Sequence, residues 1–154
     1  MLAVLKSISL TVYMVGVNLL FAYALSQFEV GTGLPDFKSP SVLIVGLLIL
    51  IVGATLRLWS AFAFYRANIK VVYVKPQAQL VTSGPFALSR NPLYIGILLI
   101  NLGSGLLFGT PGGVVTSVIL FVLFDMWARL EEKQLTEKFG ATYQEYMKCV
   151  PRWV

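Results

Sequence analysis

The sequence contains no histidine and one cysteine, Cys149. Without imidazole there is no Ser-His-Asp triad, no histidine ligand for zinc and no side chain whose ordinary pKa lies near neutrality. A single thiol can close no intrachain disulfide and build no multi-thiolate metal site. Charge is scarce as well. Asp, Glu, Lys and Arg make up 12% of the 154 residues, where a soluble domain carries about 25%. Hydrophobic residues reach 57% and the mean hydropathy is +0.79. A surface with so little charge must largely face lipid, which implies an integral membrane protein of one domain. The net charge of +5 then bears on orientation in the bilayer rather than on nucleic acid, and neither nucleic acid nor metal is expected as a partner.

What the chain does have is apolar length. Four segments approach the ~20 residues that span a bilayer: about Ile8 to Leu25, Ser41 to Phe64 with Arg57 inside it, Pro92 to Phe108, and Val114 to Trp127, extendable to Leu130, with Asp125 near its end. The first is longer than the ~7–15 apolar residues of a signal peptide, and a retained helix is expected there. "GTPGG" (109–113) separates the last two. Its glycines and proline fit a tight reversal, so these two segments are expected to form a helical hairpin, with Gly103, Gly105 and Gly109 available for close helix packing.

Basic residues set the orientation. Lys6, Arg66, Lys70, Lys75, Arg90, Arg129, Lys133, Lys138, Lys148 and Arg152 all fall on one side of a four-span arrangement, and Lys38 on the other. Both termini are thereby expected in the cytoplasm, and the two polar segments, 66–91 and 129–154, on that same face. The second segment is helical in pattern: Leu130, Leu135, Phe139, Tyr143, Tyr146 and Val150 recur at three-to-five spacing. Gly140 should interrupt it, Thr142 to Glu145 resembles a capping box, and Pro151 should end it. Such an amphipathic piece lies along the interface or folds back over the hairpin. The fold class expected is all-α: a polytopic membrane protein with about four transmembrane helices, a C-terminal hairpin and an amphipathic cytosolic tail helix.

Several polar residues lie near the expected membrane boundary. Arg57 either snorkels or pairs with Asp125. Glu131 and Glu132 point about 100° apart on a helix and cannot share one partner. Pro92 suits a first helical position and Asn91 an N-cap. One set of alternatives is a small four-span transporter or a non-catalytic membrane subunit; proton-coupled carriers use a carboxylate deep in the bilayer, and the first three segments contain none.

"LVTSGPFALSRNPLYIG" (80–96), followed after one hairpin by "EEKQLTEKFGATYQEYMKCVPR" (131–152), resembles the isoprenylcysteine carboxyl methyltransferase and phospholipid methyltransferase superfamily. The similarity covers the C-terminal half from Ala78 onward. Arg-Asn-Pro followed by an aromatic resembles the phospholipid branch, and the tail with "FGATYQEY" the isoprenylcysteine branch. The resemblance implies one membrane methyltransferase domain, with 1–77 supplying two spans and a basic loop and 78–154 the cofactor-binding half. It implies S-adenosylmethionine as methyl donor, with S-adenosylhomocysteine as product, and a lipophilic or small membrane-partitioning acceptor. Gln79, Leu80, Val81, Phe86, Arg90, Asn91, Pro92, Tyr94, Glu131 and Glu132 would line the cofactor pocket. From the residues themselves, Glu131, Glu132 and Asp125 are the local groups able to take a proton from an amine acceptor, and Arg129 either holds an anionic acceptor or anchors the helix at the interface. The residue types suit that role. Arg90 offers a fork for a carboxylate, a glutamate can accept from an ammonium or a ribose, and Phe86 or Tyr94 can stack on a base. Methyl transfer depends on alignment in a dry site more than on proton transfer, so a chain without histidine can perform it.

Overall fold

The computed structural model describes residues 2–67 and 79–154. The basic residues Lys70 and Lys75, and the expected division at 77/78, lie outside the described residues. Five α-helices follow in order: α1 Leu2–Thr32, α2 Pro40–Arg66, α3 Pro92–Phe108, α4 Pro111–Phe139 and α5 Ala141–Cys149, with a 3-10 turn at Gly84–Ala87 before α3. No strand occurs among the described residues, and the all-α expectation holds. By length and composition, Ser7–Thr32, Pro40–Arg66 and Pro111–Phe139 can cross a membrane. α3 is apolar but has 17 residues, a length of about 25 Å at 1.5 Å per residue. Leu43, Ile44, Leu48 and Val52 of α2, and Val115, Val118, Ile119 and Val122 of α4, stand exposed, an outward apolar surface that hydrocarbon would solvate.

Proline and glycine place the helix ends. Pro40, Pro92 and Pro111 each open a helix, where the missing N–H is not needed. Ser39 accepts from the Val42 N–H and Thr110 from the Gly113 N–H, supplying side-chain caps. Asn91 does not cap with its side chain; its amide donates instead to the Arg152 carbonyl at 3.3 Å. Gly109 adopts φ +63° and closes α3 with bonds to Gly105 and Leu106 carbonyls, so the hairpin turn is only Gly109 and Thr110. Gly140 breaks the tail as expected, but it also serves as the α5 cap position, and Thr142 lies inside the helix rather than capping it.

Glycines bring α2 and α3 into backbone contact. A Cβ on Gly103 would lie 2.8 Å from the Gly46 carbonyl oxygen, and one on Gly96 2.9 Å from that of Gly53. These pairs run antiparallel, seven residues apart on each helix, a wider small-residue seam than the Gly105/Gly109 spacing suggests. Gly105 packs instead on Gly113 of α4, where a Cβ would come within 2.8 Å of the Gly113 Cα. Polar side chains join the helices deeper in the bundle. Asn101 of α3 donates to Asn18 of α1 at 3.1 Å and accepts from Ser117 of α4 at 2.8 Å, interhelical bonds of the kind that hold membrane helices together.

Arg57 and Asp125 do not pair. Arg57 is 2% exposed and donates through Nη1 to Thr11 of α1, whereas Asp125 turns to Arg129 at 2.7 Å and to the Trp153 indole at 2.9 Å. The two side chains leave their helices toward different neighbours, a matter of helix rotation that sequence spacing does not fix.

The bundle has two distinct ends. At one, the Phe37 N–H donates to the Gly109 carbonyl, and the buried Glu29 carboxylate accepts from the Gly112 N–H at the start of α4 at 2.7 Å, where an anion suits the helix dipole. At the other end the 84–91 turn, the last turns of α4, α5 and the tail gather.

Candidate functional site

Because α4 carries no glycine or proline between Gly113 and Gly140, it continues as one helix past the apolar stretch. That carries Glu131 and Glu132 beyond the most apolar stretch while keeping them on one continuous helix. The break at Gly140 then folds α5 back, so that Tyr143 and Tyr146 face the Gly84–Ala87 turn. Gly84 itself sits at φ +64°, a conformation that glycine takes without strain. The Tyr146 hydroxyl donates to the Phe86 carbonyl at 2.6 Å, and Phe86 meets Phe64 of α2 with ring centroids 4.8 Å apart.

Between these elements lies a cavity of about 150 Å³, room for about five waters at ~30 Å³ each and therefore more than a packing defect. Leu80, Val81, Phe86, Arg90, Asn91 and Tyr94 line one side, Glu131 and Glu132 the other. Eight of the ten residues expected at a cofactor pocket thus line this cavity. Pro92 is fully buried as the first residue of α3 and lies behind that wall; Gln79 is exposed and outside it. Arg129 also lies outside, its guanidinium paired with Asp125 four residues earlier. Phe64, Leu93, Leu135, Tyr143 and Tyr146 complete the lining. The last three belong to the apolar face of the tail, and their helical spacing was the available signal; nothing in the sequence marked Phe64 as facing a cavity.

The two glutamates divide their work. Glu132 is buried and accepts four hydrogen bonds. Arg90 Nε and Nη2 donate to Oε1 at 3.0 and 2.8 Å. Arg152 Nε donates to Oε1 at 2.9 Å and Nη2 to Oε2 at 2.7 Å, a bidentate fork. Arg90 Nη1 donates further to the Met147 and Val150 carbonyls. Four of its five N–H groups are thereby committed, so Arg90 has no free fork for a ligand carboxylate. Glu131 differs. It accepts from the Tyr94 hydroxyl at 2.8 Å, and among the described residues no cation pairs with it. Tyr94 is held by stacking on Phe124 at 4.8 Å with 19° between the planes.

Ser89 was missed by sequence reasoning. Wholly buried, it donates to the Arg152 carbonyl at 2.8 Å and accepts from the Asn91 N–H at 3.1 Å. A hydroxyl two residues before the residue it bonds is a local turn pattern, too common to single out.

Burial pushes the Tyr146 phenol up to about 12, with nearby Arg90 opposing the rise and Glu132 adding to it. Tyr143 is raised as well, chiefly by burial and then by Glu132. A phenol in the unfolded chain ionises near ~10, so above that pH the undocked tail releases a proton that the docked tail retains. Docking is accordingly at full strength below pH ~10 and weakens as pH climbs toward the folded-state value. Titration of the phenolate absorbance alongside protease susceptibility of the tail should show cleavage rising within that window and not below it.

A model of the phospholipid methyltransferase family matches residues 41–142, well over half of the chain and including parts of both cavity walls. The chain belongs to the phospholipid methyltransferase family. Members of the wider group are similar in sequence. The protein-S-isoprenylcysteine O-methyltransferase of Schizosaccharomyces pombe is 36% identical over 73 residues, covering 47% of this chain and 31% of that protein. The probable protein-S-isoprenylcysteine O-methyltransferase of Oryza sativa subsp. indica is 30% identical over 109 residues, 69% of this chain and 57% of that one. That of Rattus norvegicus is 35% identical over 109 residues, 69% and 38%. The chain spans between about a third and somewhat over half of the length of these curated relatives. Family membership together with the three long apolar helices makes this an integral membrane protein.

Proposed function

We propose that this protein is an S-adenosylmethionine-dependent methyltransferase of the isoprenylcysteine carboxyl methyltransferase-like type. Its acceptor is lipophilic or small and membrane-partitioning: an isoprenylcysteine-like carboxylate, a phospholipid amine or a compact apolar molecule. The observation that carries the reading is the cavity that two stretches some forty residues apart enclose together, with Glu131 uncompensated on its wall.

The donor set suits the cofactor. A carboxylate without a cationic partner accepts from an ammonium or from ribose hydroxyls, and the rings of Phe64, Phe86 and Tyr143 offer faces to a purine or a sulfonium. When bound, the cofactor supplies a methyl group on a positively charged sulfur. The chain's own residues bind, orient and exclude water: Tyr94 fixes Glu131, the Glu132–arginine cluster fixes α4 against the 84–91 turn, and Leu80, Val81 and Leu93 keep the wall dry. An amine acceptor must first lose a proton, and Glu131 is the wall carboxylate with no cation bonded to it. Residues 1–154 act as one domain, although Phe64 brings the N-terminal half into the site. Both termini and the cavity face the cytoplasm of an inner or cell membrane, in keeping with the basic residues at the cavity end.

Calorimetric titration of the detergent-purified protein with S-adenosylhomocysteine tests this reading. Saturable binding is expected, and Glu131→Gln should weaken it by about 10–100-fold, the worth of one charge-assisted hydrogen bond. Absence of any binding heat in the wild type would overturn the reading; unchanged affinity in the variant would remove Glu131 from the site.

A further inference from the structure

The tail that follows α5 lies beyond the residues matched by the family, yet it joins both cavity walls. Toward the first wall, the Pro151 carbonyl accepts from the Arg90 N–H at 2.9 Å. The Arg152 carbonyl accepts from Ser89 at 2.8 Å and from the Asn91 amide at 3.3 Å. Toward the second, the Arg152 guanidinium forks onto Glu132 and extends Nη1 to Asp125 at 3.4 Å. The neighbouring Trp153 anchors the same segment through its indole N–H on Asp125 at 2.9 Å and its ring on Phe121 at 5.4 Å.

One residue thus holds Asn91 with its backbone and Glu132 with its side chain, and both line the cavity. We propose that Arg152 is the positioning residue of this site: it sets the separation of the two walls, so that ligand in the cavity and docking of the tail stabilise each other. The proposal rests on the cofactor reading given above. Arg152 lines no part of the cavity and touches no reacting atom; it acts through Asn91 and Glu132. Because binding free energies are reciprocal, whatever loosens the tail must weaken the ligand, and the ligand must tighten the tail.

The test combines calorimetry and hydrogen exchange on the full chain, with S-adenosylhomocysteine as probe. Arg152→Gln should raise the dissociation constant by about tenfold or more, within the usual range of coupling between linked sites. Arg152→Lys, which restores the charge without the fork, should recover part of that loss. In the wild type, the probe should slow amide exchange across 147–154. Trp153→Phe, which keeps a ring for Phe121 but drops the Asp125 bond, should weaken binding by a smaller factor and blunt that protection. A wild type that binds no probe overturns the cofactor reading and this proposal with it. A wild type that binds, beside a folded Arg152→Gln variant of equal affinity, overturns this proposal alone. Should Arg152→Gln not fold, the wild-type exchange decides: tail amides indifferent to the probe contradict the coupling.

Discussion

Glu132→Ala is expected to undock the tail and abolish cofactor binding. The carboxylate is 10% exposed and sits between two guanidinium groups. Removing it leaves Arg90 and Arg152 close together and part-buried with no anion between them. Breaking a buried ion pair from one side costs about 3–5 kcal/mol, because the remaining charge is left desolvated and uncompensated. Here two charges lose the same partner; Arg90 also holds the Met147 and Val150 carbonyls, and Arg152 keeps only Asp125 at 3.4 Å. The expected outcome is a large drop in the thermal midpoint of the detergent-purified protein, rapid proteolysis after residue 140 and no measurable heat with S-adenosylhomocysteine. Glu132→Gln keeps the volume and one acceptor oxygen and should fall between wild type and alanine. An alanine variant that melts and binds like the wild type would show that the cluster is incidental.

Gly96→Val should be the most damaging single change within the membrane bundle. A Cβ at this position would meet the Arg57 backbone nitrogen and Cβ at 2.8 Å, and backbone cannot swing aside as a long side chain can. α2 and α3 must separate along the whole seam, since Gly103 meets Gly46 seven residues further on in the same way. Overpacking of a tight core costs about 1–3 kcal/mol and occasionally more, and a contact against backbone belongs at the upper end. The damage should reach the site, because α3 begins at Pro92 and carries Tyr94 two residues before Gly96. Reduced yield of monodisperse protein and weakened binding are both expected. Gly16→Ala and Gly31→Ala are the controls: nothing lies within 4 Å of either added Cβ, and both should behave as the wild type. Equal loss in the controls would mean that glycine content, not the α2–α3 seam, governs stability.

How much of this was visible beforehand depends on which physical signal carried it. The limits of α3 were legible because Pro92 and Gly109 are local punctuation whose meaning does not depend on neighbours. The unbroken run of α4 to Phe139 was half legible: its apolar face and the break at Gly140 were plain, but the sequence does not say whether a helix leaving the bilayer continues straight. Most of the cavity wall could be named from the likeness of two short stretches to known methyltransferases, and the fold brings eight of those residues together. What could not be read was partner choice among charges. Arg152 counted only as one more positive residue on the inner side, yet it forks onto Glu132. Arg90 was expected to present its guanidinium to a ligand, and its donors turn to Glu132 and the tail carbonyls. Arg57 and Asp125 were candidates for each other and found Thr11 and Trp153. Such choices follow from helix rotation and chain reversal in space, which one-dimensional spacing leaves undetermined.

The central claim is that the 80–94 and 131–146 stretches jointly hold one adenosyl ligand at the membrane surface. Photolabelling with an azido-adenine analogue of S-adenosylhomocysteine, followed by peptide mapping, tests it most directly. Label shared between a peptide containing Phe86 to Tyr94 and one containing Glu131 to Tyr146, and displaced by excess unmodified ligand, is the predicted result. Displaceable label confined to the Lys38 and Gly109 end of the bundle would contradict the account.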